Sequence, residues 1–217
     1  MISTKLLLRI FILFSILYLG CILFNLATWV FYLKPVLLLP LIVAVLISKG
    51  FKNKIILLIA LVFSWLGDIL LLFVFKDTIY FMLGLVAFLM AHIFYIILFV
   101  KELKKANGKI EFKKGLIVIA IYLITMLLVL IPHLDGLTIP VIIYAITISI
   151  MLYMAYLLSF HWTKPASIYL LTGAVSFILS DSILALDKFY RPIPMSGLLI
   201  MATYLYAQWA LVRSCIE

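Results

Sequence analysis

"IILLIALVFSWLGDILLLFVF", Ile55 to Phe75, is 21 residues long and holds a single charged side chain, Asp68. An α-helix rises about 1.5 Å per residue, so the run is long enough to cross the hydrocarbon core of a bilayer. A helix on the surface of a soluble domain shows one apolar stripe, whereas this one is apolar nearly all round. The stretch predicts a transmembrane helix with one carboxyl group held inside it.

The same pattern continues in both directions. Apolar segments fall at roughly 6–26, 35–48, 79–100, 115–131, 139–160, 166–187 and 194–214 in addition to 55–75, separated by short breaks rich in charge, Pro or Gly. The fold class expected is all-α, an integral membrane bundle of about eight transmembrane helices in one polytopic domain over 1–217. The second segment is short and carries Pro35 and Pro40, so it is expected to be kinked or only partly spanning, and seven or eight complete spans both fit. Residues of the hydrophobic class make up 68% of the chain and charged ones 12%, which leaves no hydrophilic stretch for a soluble domain.

At the N-terminus, Lys5 and Arg9 precede "IFILFSILYLGC", a charged-then-apolar order shared with signal peptides, with Cys21 placed like a lipoprotein cysteine. Tyr18, three residues before Cys21, suits such a site poorly, and the apolar character runs on through Phe24. A retained first helix is the expectation. Neither Cys21 nor Cys215 belongs to a C-x-x-C or metal-ligand spacing.

The formal net charge of +9 comes from lysines and arginines in short loops, which reads as membrane orientation and not as nucleic-acid binding. With the N-terminus inside, that side collects Lys5, Arg9, Lys49, Lys52, Lys54, Lys101, Lys104, Lys105, Lys109, Lys113, Lys114, Lys164 and Arg213. The other side keeps Lys34, Lys76, Lys188 and Arg191. Both termini are therefore expected in the cytoplasm, in a bacterial inner membrane or alternatively an internal eukaryotic membrane such as the endoplasmic reticulum. The basic loop from Lys101 to Lys114 reads as a topogenic segment against anionic lipid.

Asp68 and Asp181 are the acidic residues lying well inside apolar runs, while Asp77, Asp135 and Asp187 fall at or beyond segment ends. Placing a carboxylate in hydrocarbon costs about 2.5–3.5 kcal/mol on insertion scales unless it is neutralised, paired or hydrated. "GDILL" at Gly67 to Leu71 and "SDSIL" at Ser180 to Leu184 echo one another four segments apart, as a weak four-plus-four repeat would. By helix rise each carboxyl lies about 9–11 Å below the outer end of its segment, a common depth at which the two could converge and share a proton. Gly67, Ser176 and Ser180 are small enough to permit a close approach of helices.

Other polar positions form stripes. Gly84, Phe88, His92 and Tyr95 share one helical face, as do Gly197, Met201, Tyr204 and Gln208. Gly84, Phe88 and Met201 read as packing seams, and His92, Tyr204, Gln208 and Ser180 as supporting polar or proton-relay residues. Lys34 and Arg191 share the side of the two aspartates, either as snorkelling interfacial cations or as partners for a head-group phosphate. His92, His133 and His161 are spread too widely to share a metal ion, and no Walker loop, H-E-x-x-H, G-x-S-x-G or Rossmann pattern occurs. No metal or organic cofactor is expected. These residues alone admit three readings: a carboxylate acid–base hydrolase, a proton-coupled small-solute carrier, or polar glue in a structural bundle.

"KP" at Lys34–Pro35, "FSWLGDILLL" at Phe63 to Leu72, "GLVAFLMAHIFY" at Gly84 to Tyr95, "GAVSFILSDSILALDKF" at Gly173 to Phe189 and "TYLYAQWAL" at Thr203 to Leu211 together resemble the YhhN-like lysoplasmalogenase family. The resemblance spans nearly the whole chain in order. It implies a multi-pass hydrolase of about eight helices that cleaves the vinyl ether bond of lysoplasmalogens, a lysophospholipid substrate met in the membrane. Fatty aldehyde and glycerophospho-ethanolamine or glycerophosphocholine would be the products, with Asp68 and Asp181 as the catalytic pair. The chemistry suits two carboxyls: one protonates the β-carbon of the vinyl ether, and the other stabilises the oxocarbenium ion and activates water. Which of them holds the proton stays open at this level.

Overall fold

The computed structural model describes residues 3–107, 114–134 and 136–216. Lys109 and Lys113 of the basic loop, and Asp135, lie outside the described residues. Nine α-helices occur among those described: α1 (Thr4–Leu23), α2 (Ala27–Leu33), α3 (Leu39–Ile47), α4 (Lys54–Leu71), α5 (Ile79–Lys105), α6 (Lys114–Leu130), α7 (Thr138–Ser159), α8 (Ala166–Ala185) and α9 (Ser196–Ile216). Seven helical segments among the described residues are long and apolar enough to cross a membrane, counting Ala27–Ile47 as one broken span. The expected segment 194–214 is also helical, as the 21-residue α9. Tyr204, Tyr206, Gln208 and Arg213 make it more polar than the other seven.

The chain resolves into two compact units. The first is built up to Tyr95, together with Cys215, and the second comprises Ile96–Ser214.

In the first unit, α1 starts at Ser3, whose hydroxyl oxygen accepts from the Leu6 N–H at 3.2 Å, the usual device for satisfying an exposed donor at a helix start. After α1 the chain reverses through Asn25, which sits at φ 55, a left-handed conformation that asparagine tolerates. α1 then packs against both α2 and α3. The second span is longer than the prolines suggested, because helix resumes at Ala27, before Pro35. Pro35 has no N–H to donate, and the backbone tightens into a 3₁₀ turn over Lys34–Val36 before α3 begins. α3 and α4 form a hairpin that turns at Gly50, with φ +96. Lys54 reaches back across this turn, donating from Nζ to the carbonyls of Leu46 at 3.3 Å and Ser48 at 3.4 Å, and so covers acceptors left over at the end of α3.

α4 and α5 meet along a close seam. A Cβ on Gly67 would lie 2.6 Å from Phe88 Cε2, and one on Gly84 would lie 2.9 Å from Leu71 Cδ2. Phe63 and Phe94 stack at 5.7 Å with their planes 12° apart. The pairs Phe63–Phe94, Gly67–Phe88 and Leu71–Gly84 keep an antiparallel register, so the stripe carrying Gly84 and Phe88 is a packing face.

In the second unit α7 packs against α6 and α8. α8 passes into a π-helical turn over Leu186–Tyr190, closed by the Arg191 N–H donating to the Leu186 carbonyl at 3.0 Å. α8 and α9 are antiparallel neighbours: Gly173 faces Ala210 and Leu211, and Phe177 meets Tyr204 edge-on at 5.6 Å. Under the π turn, Leu130, Leu134 and Val141 form an apolar floor joined by Leu186 and Phe189.

Gly67→Ala should lower the melting temperature of the purified protein, because Phe88 is buried and has to move; overpacking of this kind costs about 1–3 kcal/mol. Gly20→Ala, where nothing lies within 4 Å of the added methyl, should not lower it. Equal melting temperatures for the two variants would refute the seam.

Candidate active site

Asp68 belongs to the first unit and Asp181 to the second, and each carboxyl is met by polar side chains from neighbouring elements of its own unit.

Asp68 projects from α4 and is only 2% exposed. Lys34, at the start of the 3₁₀ turn, and Tyr18, from α1, both lie within electrostatic reach of it. The hairpin about Gly50 explains the approach of Lys34. Pro35 and Trp65 are equally distant from Gly50 along the chain, and the Trp65 Nε1–H donates to the Pro35 carbonyl at 2.6 Å. That bond ties the Lys34–Pro35 turn to α4 one helical turn before Asp68. Lys34 is half-buried here. Ser64, fully buried one turn before Asp68, has a hydroxyl with no hydrogen-bond partner among the described residues. Leaving such a hydroxyl unmatched costs about 1–3 kcal/mol. The buried serines at 15, 48 and 214 instead donate to backbone carbonyls of their own segments, while Ser149, on α7, is unmatched like Ser64. His92 is fully buried on α5 in the same unit.

Asp181 projects from α8 and is half-buried. The Tyr144 hydroxyl, from α7, donates to its Oδ2 at 2.5 Å. The next residue, Ser182, donates to the Ile178 carbonyl and is bonded to the Tyr122 hydroxyl from α6. Ser182 has one proton and spends it on Ile178, so Tyr122 is the donor in that pair. Ser180 does not meet Asp181; its hydroxyl donates to the Ile200 carbonyl at 3.0 Å and fastens α8 to α9. Tyr204 packs on Phe177, and Gln208 is fully buried on α9.

Arg191 follows the π turn. Its guanidinium carbon is 5.6 Å from the centroid of the Tyr190 ring. Asp187 Oδ1 accepts from the Ile193 N–H at 2.7 Å and fixes the loop. Arg191, Tyr190, Leu186 and Pro192–Pro194 line a cavity of about 480 Å³.

The chain matches the YhhN family over residues 28–215. It belongs to that family. Among curated relatives, this YhhN protein is 32% identical over 171 residues to "Lysoplasmalogenase TMEM86A" of Bos taurus and 33% identical over 171 residues to its Homo sapiens counterpart. It is 32% identical over 160 residues to "Lysoplasmalogenase TMEM86B" of Mus musculus. The matches cover 73% of this chain, but 64% of the bovine and human proteins and 62% of the mouse protein, so the chain spans less than two thirds of these relatives' length. No solved structure matches it.

Trp65, Tyr122, Tyr144 and Ser182 escaped the reading of the sequence. Tyr144 carried a signal all the same: it stands as far before the α7–α8 turn as Asp181 stands after it. Tyr122 had none, because α6 and α8 are not consecutive.

Trp65→Phe keeps a ring on α4 but removes the donor to Pro35, which should free the Lys34–Val36 turn. Lys34 should then react several-fold faster with an amine-directed reagent, read by mass spectrometry of its peptide. An unchanged rate would show that the Trp65 bond does not hold the turn.

Proposed function

We propose that this YhhN protein is a lysoplasmalogenase, a cofactor-independent hydrolase of the vinyl ether bond of lysoplasmenylethanolamine or lysoplasmenylcholine. Its family membership, with relatives carrying that name, is the observation that bears most on the reading. Two intramembrane carboxyls, each with a polar partner, supply groups of the chemical type the reaction needs.

A vinyl ether is stable until its β-carbon takes a proton. A carboxylic acid delivers that proton, and the electron pair of the double bond forms the new C–H bond, leaving an oxocarbenium ion on the ether carbon. A carboxylate stabilises this cation and removes a proton from water as the water oxygen bonds to the same carbon. The hemiacetal then collapses: its hydroxyl proton passes to the glycerol oxygen, the C–O bond breaks, and fatty aldehyde and glycerophospho-alcohol leave. Asp68 and Asp181 supply the acid and the stabilising base of this scheme, in either order. Buried, weakly solvated surroundings strengthen both effects, because charge developing on the substrate is less screened than in water.

The remaining residues serve the substrate and the proton. Arg191, on the wall of the cavity beside the π turn, is a cation for the head-group phosphate, and Lys34 is the second. A guanidinium binds phosphate through paired N–H donors, which suits it to this task. His92, Tyr204, Gln208 and Ser180 are supporting polar groups. The unmatched hydroxyl of Ser64 is a candidate seat for the attacking water. The bias of lysine and arginine across alternate loops supports cytoplasmic termini, in a bacterial cell membrane or an internal eukaryotic one.

The purified protein should release aldehyde from lysoplasmenylethanolamine and leave the alkyl-ether analogue intact, since the latter has no double bond to protonate. Asp68→Asn and Asp181→Asn should each reduce the rate on the order of 10²–10⁴-fold while melting as the parent does. Full activity in both variants would remove the mechanism. Transport of an unaltered solute into proteoliposomes, with no aldehyde formed, would point instead to a carrier.

A further inference from the structure

Two phenols grip α8 at consecutive residues. Tyr144, on α7, donates to Asp181 Oδ2 at 2.5 Å, and Tyr122, on α6, bonds to Ser182. Successive residues on a helix point about 100° apart, so the two grips come from different sides and oppose rotation of α8 about its own axis at this level. Tyrosine is well suited to the task, because its hydroxyl rides on a rigid ring with few torsions and packing of the ring sets the direction of the donor.

Phenylalanine would fill the same apolar space on α7 without bringing a polar atom into the membrane. Thr147, on the same helix, returns its hydroxyl to the Ile143 carbonyl and so stays within the helix, whereas the Tyr144 hydroxyl is directed at the carboxyl of another helix. We propose that Tyr144 is the positioning residue of Asp181: its phenol holds the carboxyl in the orientation from which Asp181 acts on the vinyl ether. The inference rests on the hydrolase reading for the reaction, and on the Tyr144–Asp181 geometry alone for the positioning.

The full chain in nanodiscs tests it with two readouts. In steady-state turnover of lysoplasmenylethanolamine, Tyr144→Phe should lower kcat on the order of 10²-fold, as misplacement of a reacting group does. KM should stay within about twofold, because the substrate contacts remain. Tyr144→His, which retains a ring N–H donor, should recover part of kcat. The second readout needs no turnover. Dicyclohexylcarbodiimide attacks carboxyl groups in apolar surroundings, and mass spectrometry reports its adduct on Asp181 with Asp68 as reference in the same sample. Tyr144→Phe should raise Asp181 labelling several-fold relative to Asp68. Tyr206→Phe, which removes a hydroxyl bonded to Thr172 at 3.0 Å, should leave the ratio at the parent value.

Parent-like kcat and labelling in Tyr144→Phe would overturn the proposal, as would a raised KM with unchanged kcat. If Tyr144→Phe does not fold, Tyr144→Leu takes its place, and a parent-like labelling ratio there overturns the proposal equally. A parent protein that releases no aldehyde but whose Asp181 labelling still depends on Tyr144 would sink the hydrolase reading and leave the positioning role standing.

Discussion

A carboxyl group on a helix that crosses hydrocarbon has to be met by another polar group, and the neighbouring helices are where that group can come from. Water is scarce at that depth, and the helix backbone has already paired its own donors and acceptors. The two aspartates of this protein are accommodated in related ways. An antiparallel hairpin returns the chain to the same level, and a polar side chain on its other arm comes within reach of the acid. For Asp68 the hairpin turns at Gly50 and brings Lys34, anchored by the Trp65–Pro35 bond. For Asp181 it is the α7–α8 pair, and it brings Tyr144.

The irregular backbone of each unit lies close to these meetings. Lys34 opens the 3₁₀ turn that interrupts the second span, and the π turn begins five residues after Asp181. Departures from α geometry are tolerated at membrane depth only where the freed backbone groups find partners. Here they do: the Pro35 carbonyl takes the indole proton of Trp65, and the Leu186 carbonyl takes the Arg191 N–H. A continuous helix through Pro35 would leave that carbonyl within the backbone ladder and deny Trp65 its acceptor. The break is therefore part of how Lys34 is presented.

Much of this was legible in the residue order, and the reason is geometric. In an antiparallel helical hairpin, positions equally far from the turn lie at one level. Pro35 and Trp65 are symmetric about Gly50, Tyr144 and Asp181 about the bond between Trp162 and Thr163, and Gly67 and Phe88 about the bond between Asp77 and Thr78. Apolar run length placed the helices for the same kind of reason, since burial in lipid demands a minimum length. The second span is broken at its proline as the sequence suggests, but it starts earlier, because helix precedes Pro35 from Ala27 and the chain enters through the left-handed Asn25. Contacts between non-consecutive helices obey no such symmetry. Tyr122 and Ser182 are 60 residues apart on α6 and α8, two helices that each pack against α7, and no count of residues about a turn reports their meeting.

The two acids are alike in residue type and in their small neighbour, Gly67 beside one and Ser180 beside the other, and each has a tyrosine among its polar companions, with a lysine added near Asp68. Asp68 has Lys34 and the Tyr18 phenol within electrostatic reach, an influence that falls slowly with distance in a medium of low dielectric. Asp181 has a phenol in direct contact, a neutral donor whose influence depends on direction. On the proposed reading the reaction asks one carboxyl to deliver a proton to carbon and the other to stabilise a cation, and acids whose surroundings differ are suited to divide such work.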